Sequence, residues 1–365
     1  MKKLLLIILL LPILGCRCYA EDVGEDTASL TEIERVEDGL QAEERSVSGE
    51  LRIDGTYDAQ GALGRLWERV LSSAREQLKS EIRFSSVLIS IALLCSLASA
   101  LSPGGRIAEL IELAACCGGT ILLAGGLESE IGQATESLQR LSDYAKVSLP
   151  AFFTTVAACG AAVSASVKYA AACFVMDLFM TLSQRLILPL IYAYLAVTVS
   201  GSLFENSILT AAARIIKWCA ITAMTGVTSV FCLYISLSGL ISGSADAAAV
   251  KAAKTVVAAG LPVVGRILSD SASSILAASA VIKNSAGVFC LIAVCAICAG
   301  PFAVLAVKVL IYKACSALAE LSCGGRFAKL LSGIGGVFAM LLGMVGSYGV
   351  MLFLSFMSGI QMGTA

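Results

Sequence analysis

The sequence predicts an all-α, polytopic membrane protein of about six to eight transmembrane helices, and three observations predict it. Counting Gly with the apolar set and removing Tyr makes about 65% of the 365 residues apolar, against ~45–50% in soluble domains. Only 15% are charged, and the mean hydropathy is +0.86. Apolar runs close to the ~20 residues that a bilayer core requires recur along the chain.

The order of elements begins with a secretory signal over residues 1–20. Lys2 and Lys3 form its charged start, and Leu4–Leu14 is an apolar run too short to span alone. Cys18-Tyr19-Ala20 offers small residues for cleavage before Glu21. Ile13-Leu14-Gly15-Cys16 keeps a second reading open, an imperfect lipobox with lipidation at Cys16. Either way residue 21 onward starts outside the cytoplasm.

Residues 21–60 form an acidic exported segment. From 21 to 82 there are 16 Asp and Glu against 7 Lys and Arg, with few aromatics. The first part cannot bury enough apolar surface to offset chain entropy, so it reads as disordered. From 61 to 83 the pattern turns helical. Leu63, Leu66, Trp67, Val70, Leu71, Ala74, Leu78 and Ile82 follow a 3.6-residue period. This predicts an amphipathic juxtamembrane helix whose apolar face lies on the bilayer or on the protein's own bundle. A partner-docking helix is the sharper alternative.

Residues 84–360 form the transmembrane domain. The clearest spans are Phe84–Leu101, Ser148–Val167, Leu186–Phe204, Trp218–Ile241, Ala286–Val307 and Ile334–Gly359. Ile107–Gly126 and Tyr169–Leu182 are weaker. Eight spans starting outside put Arg106, Lys168, Arg214, Lys217, Lys308, Lys313, Arg326 and Lys329 on the cytoplasmic side, as the bias of Lys and Arg toward that side expects. Six spans with re-entrant segments is the other arrangement. In the eight-span arrangement Leu127–Val147 falls outside, as do Arg185, Lys251, Lys254 and Lys283. Its stripe of Leu127, Ile131, Ala134, Leu138, Leu141 and Ala145 predicts a helix lying along the outer surface. Pro189, Pro262 and Pro301 interrupt three segments. Gly160, Gly336 and the Gly343–Gly346 pair suit close helix packing in lipid.

The chemical inventory is thin. With no His there is no Ser-His-Asp triad, no Cys-His pair and no His-based zinc site. No phosphate-binding loop is present, and no cofactor or metal is expected. Nucleic acid is not expected either, since no basic face is clustered. Cys295-Ala-Ile-Cys298 has redox spacing but lies within a span, where a packing role for Cys is the plainer reading. Embedded charge is the better signal, because an ionisable group in hydrocarbon costs at least ~2.5–3.5 kcal/mol. The candidates are Glu109 and Glu112 near the start of a weak span, Asp177 with Arg185 two turns on, and Arg266 with Asp270 at i, i+4. Arg266 and Asp270 follow Gly260, Pro262 and Gly265, where a regular helix must break. Broken backbone at membrane depth survives only against protein or water, so this segment is the first candidate for a cavity lining. A structural charge, neutralised inside the bundle, is the bland alternative for all of them.

The order and spacing of several stretches carry a resemblance. They are Gly260-Leu-Pro-Val-Val-Gly265, Ser269-Asp-Ser-Ala-Ser-Ser274 and Lys283-Asn-Ser-Ala-Gly-Val-Phe289, then Ala296-Ile-Cys-Ala-Gly-Pro-Phe302 and Tyr312-Lys313. Gly333-Ile-Gly-Gly-Val-Phe338, Gly343-Met-Val-Gly346 and Met351-Leu-Phe-Leu354 close the series. Together with the signal and acidic segment, they resemble the stage III sporulation protein AE family of endospore-forming Firmicutes. The resemblance implies a non-enzymatic membrane subunit of the mother cell–forespore channel complex, with no catalytic residues to carry over. It implies as partners the other membrane and ring-forming proteins of the same operon, a forespore membrane partner and a separate ATPase, within the bilayer of the mother-cell membrane around the forespore. The alternative from another class is a free-standing solute or ion permease.

Overall fold

The computed structural model describes residues 59–101, 105–204, 207–260, 265–322 and 325–362. The signal and most of the acidic segment lie outside the described residues. Among the described residues every regular element is helical: α1 (Ala59–Ala100), α2 (Gly105–Val156), α3 (Ala162–Leu182), α4 (Leu188–Phe204), α5 (Ser207–Gly260), α6 (Gly265–Ser322) and α7 (Gly325–Ile360). One-turn π-helical segments at Ala157–Ala161 and Ser183–Ile187 join α2 to α3 and α3 to α4.

Those two joints do different things. At the first, Gly160 sits at φ 90°, ψ 6°, a left-handed conformation that costs a residue with a Cβ about 1–2 kcal/mol. The chain folds back there. Phe153 and Tyr169 rings lie 6.1 Å apart, and Gln184 Nε2 donates to Gln139 Oε1 at 3.4 Å, so α3 descends alongside α2. At the second joint the helix keeps its direction. Pro189 follows directly, and its ring would clash with the carbonyl four residues back in an unbroken α-helix. A π-turn gives that ring room. Pro301, by contrast, lies inside α6, and the helix continues through it.

Neighbouring contacts fix the remaining directions. A Cβ built on Gly201 meets Leu209 Cβ at 3.4 Å, so α5 turns back on α4. Ser316 Oγ donates to Ala328 O at 2.9 Å and Tyr312 lies 5.2 Å from Phe338, so α7 turns back on α6. At opposite ends of α2 and α7, Arg326 meets Glu112 and Phe152 meets Phe356, so these two run parallel. α1 packs chiefly on α6 and also on α2. The result is six passes, with α3 and α4 making one between them.

Four stretches are long and apolar enough to cross a membrane: Gly125–Phe204, which folds back at Gly160, then Ser207–Ser238, Ala280–Leu321 and Gly325–Ile360. Ser86–Ala98 in α1 is a shorter apolar helix. α7 is the axis of the bundle, with 24 of its 36 residues buried. Its glycines allow that burial. A Cβ on Gly336 would meet Tyr194 Oη at 2.5 Å, one on Gly349 would meet Cys298 Sγ at 2.8 Å, and one on Gly333 would fall on Thr198.

One expectation changes. Leu127–Val147 is not a surface helix but the middle of α2, and Leu127, Ile131, Ala134, Leu138, Leu141 and Ala145 are all buried in the core. The period was right; the stripe faces protein. As the periodicity expects, α1 runs unbroken from the juxtamembrane segment into the first span. Ala62, Leu88, Ala92 and Cys95 are buried while Trp67, Leu71 and Leu78 remain exposed.

Candidate functional site

Charged groups inside an apolar bundle must find partners, and three buried lysines show how this one supplies them. Lys308 on α6 reaches Glu130 on α2 at 2.5 Å, with its ammonium 5.5 Å from the centre of the Phe338 ring. Lys168 on α3 donates to Ser358 Oγ at 2.7 Å. Lys283 on α6, fully buried, donates to the carbonyl of Met362 just past the end of α7. Two of the three thus hold the C-terminal end of α7, where unpaired carbonyls and the helix dipole favour a cation.

At the other end of α7 the sign reverses. The Arg326 N–H donates to Glu112 Oε1 at 2.7 Å, and Glu112 Oε2 lies 3.9 Å from Arg326 Nε. A carboxylate at a helix start accepts an otherwise unpaired donor and meets the positive end of the dipole. Closer to the middle, Lys217 stands 5.9 Å from the Tyr194 ring centre, beside Gly336.

These contacts overturn the eight-span arrangement. Lys168 and Lys308 were to sit on the cytoplasmic side, with Glu130 and Ser358 outside; instead Lys168 bonds Ser358 and Lys308 pairs with Glu130. A lysine that finds its partner in the protein needs no solvent, so it does not report a membrane boundary.

Of the predicted site residues, Glu112 is the one brought into a buried arrangement. Glu109 is exposed. Asp177 and Arg185 are both exposed and do not pair with each other. Gly260 ends α5 and Gly265 begins α6, and residues 261–264 lie outside the described residues. Pro262 and the side chains of Arg266 and Asp270 lie outside the described residues. Lys168, Lys283 and Lys308 were missed as embedded charges. For Lys168 and Lys308 the signal, a lone Lys beside an apolar run, reads in the sequence as a cytoplasmic anchor.

Cys295 and Cys298 form no disulfide, whereas Cys95 is disulfide-bonded. Among the described residues no three of Cys, Asp and Glu gather as metal ligands. A cleft of about 420 Å³ opens where α2 meets α3, lined by Val147, Pro150, Phe153, Ala162 and Tyr169 and carrying no charge.

Four long apolar stretches, one of them folded back on itself, with a shorter apolar helix beside them define a polytopic helical membrane protein. The family model for stage III sporulation protein AE matches residues 51–363, and the chain belongs to that family. It is also similar to the stage III sporulation protein AE of Bacillus subtilis (strain 168), 26% identical over 239 residues. That match covers 64% of this chain and 59% of the relative. No solved structure matches the chain.

Proposed function

We propose that this chain is a non-enzymatic membrane subunit of a channel complex linking the mother cell and the engulfed forespore, and that it is needed for forespore development. Family membership over residues 51–363 is the observation that carries this reading. The use of buried charge supports a scaffold: Lys168, Lys283 and Glu112 hold the two ends of α7, and Lys308 with Glu130 ties α6 to α2. None of these groups is spent on a reacting centre.

In this reading the chain sits in the mother-cell membrane around the forespore. The bundle end bearing Arg214, Lys313, Arg326 and Lys329 faces the mother-cell cytoplasm, and the segment before α1 faces the intermembrane space. Its partners are ring-forming and membrane proteins of the same operon, a forespore membrane protein and a separate ATPase. Deleting the gene in a sporulating host should arrest engulfed forespores and leave vegetative growth normal. Heat-resistant spores at wild-type yield would refute the assignment, and proton- or sodium-coupled uptake by the purified chain alone would favour a permease.

A further inference from the structure

One face of α2 does not match the surface around it. Gly118, Gly125 and Gly132 recur every seven residues, close to two helical turns, and Glu136, Gln139, Asp143 and Lys146 continue the same line. A Cβ built on any of these three glycines meets nothing within 4 Å. Beyond them the charges stand outward: side-chain exposure is 63% for Glu136, 47% for Arg140, 59% for Asp143 and 65% for Lys146.

The level of this charged run is fixed by its neighbours. Gln139 touches Gln184 at 3.4 Å, so Leu186, Leu178 and Phe174 on the adjoining pass stand beside it, all three exposed. Phe179 lies 6.1 Å from Tyr348 and Met224 packs on Gly343, which brings the exposed Val230 and Leu233 of α5 to the same height. On the α5 side the bundle suits hydrocarbon; on the α2 side, and along the edge of the adjoining pass where Asp177 and Arg185 also stand exposed, it suits water. From Glu136 to Lys146 the helix rises ~15 Å, about half the ~30 Å thickness of a bilayer core. A face of that length cannot be left against lipid.

We propose that α2 packs against α2 of a second copy of this chain along Gly118, Gly125 and Gly132, and that the Glu136–Lys146 face then borders water shared between the copies. Glycine lines let helix backbones approach closely in lipid, and a two-fold axis along the membrane normal sets each glycine line against its own copy. The charges fit a copy better than an oppositely charged partner. Glu136 pairs with Arg140 at 2.9 Å and Asp143 with Lys146 at 3.1 Å, so the face shows no uncompensated sign and meets its like without net repulsion. This rests on the reading as a channel subunit only for its setting. Association can fail while gene deletion still arrests forespores, and the reverse.

The experiment uses the full chain in vesicles of phosphatidylethanolamine and phosphatidylglycerol, with the unmodified chain as blank for its native thiols. Gly132→Cys treated with a short bis-maleimide should give covalent dimer at least fivefold above Ile215→Cys, an exposed site on α5. Adding Gly125→Leu should abolish that dimer while the helical circular dichroism is unchanged, since the new side chain enters open space. A charged, membrane-impermeant methanethiosulfonate should label Asp143→Cys and spare Val230→Cys. Equal cross-linking at both sites, dimer that survives Gly125→Leu, or equal labelling of residues 143 and 230 each overturns the proposal.

Discussion

Replacing Glu130 by Leu tests whether the bundle's interior charges are structural. Lys308 keeps only 4% of its side chain exposed and Glu130 23%, so the pair at 2.5 Å is largely out of water. Removing one partner of a buried pair costs ~3–5 kcal/mol because the remaining charge is left uncompensated. The Phe338 ring, 5.5 Å from the ammonium, stays in place and retains a cation–π attraction of ~0.5–2 kcal/mol. Glu130→Leu should therefore lose ~2–4 kcal/mol. Replacing both, Glu130→Leu with Lys308→Met, removes the stranded charge and should cost under ~1 kcal/mol, since apolar replacement of a buried pair is often neutral. The assay is unfolding of the purified chain in mild detergent by rising dodecyl sulfate fraction, followed by circular dichroism. If the double variant loses as much as the single, within ~0.5 kcal/mol, Lys308 has access to water and the reasoning fails.

Three further changes are read in the same titration. Gly160→Ala forces a Cβ into the left-handed turn between α2 and α3 and should cost ~1–2 kcal/mol. Gly333→Ala places a methyl on the Thr198 side chain and should cost ~1–3 kcal/mol through overpacking; Gly226→Ala, whose Cβ meets nothing within 4 Å, is its neutral control. Glu112→Ala leaves the Arg326 N–H without its acceptor and should cost ~1–3 kcal/mol, with Glu112→Gln recovering part of the loss.

How far the fold could be read from the sequence depended on what each residue needed to know about distant ones. Periodicity is local, so the stripe from Leu127 to Ala145 was legible, but whether it faced lipid headgroups or α6 and α7 was not. The small residues of α7 were legible as packing positions, and Gly336 against Tyr194 bears that out. Gly160 carried the same signal yet turns the chain; nothing local separates a glycine that admits a neighbour from one that admits a positive φ. The lysines were not legible, because Lys308 takes its meaning from Glu130, on a helix far earlier in the chain.

The same comparison says where to look for function in a chain like this. Inside the bundle, each buried ammonium ends on a carboxylate, a hydroxyl or a carbonyl of another helix, and such contacts hold one arrangement of helices. On the α2 face the ion pairs instead stay within one helix, i to i+3 or i+4, with side chains 47–65% exposed. Pairs of that kind contribute only ~0.3–0.5 kcal/mol to a surface helix, too little to explain charge at bilayer height. Folding does not need them there. A surface that the fold does not require, set at the height where lipid would penalise it, is the part of this molecule whose purpose lies outside the single chain.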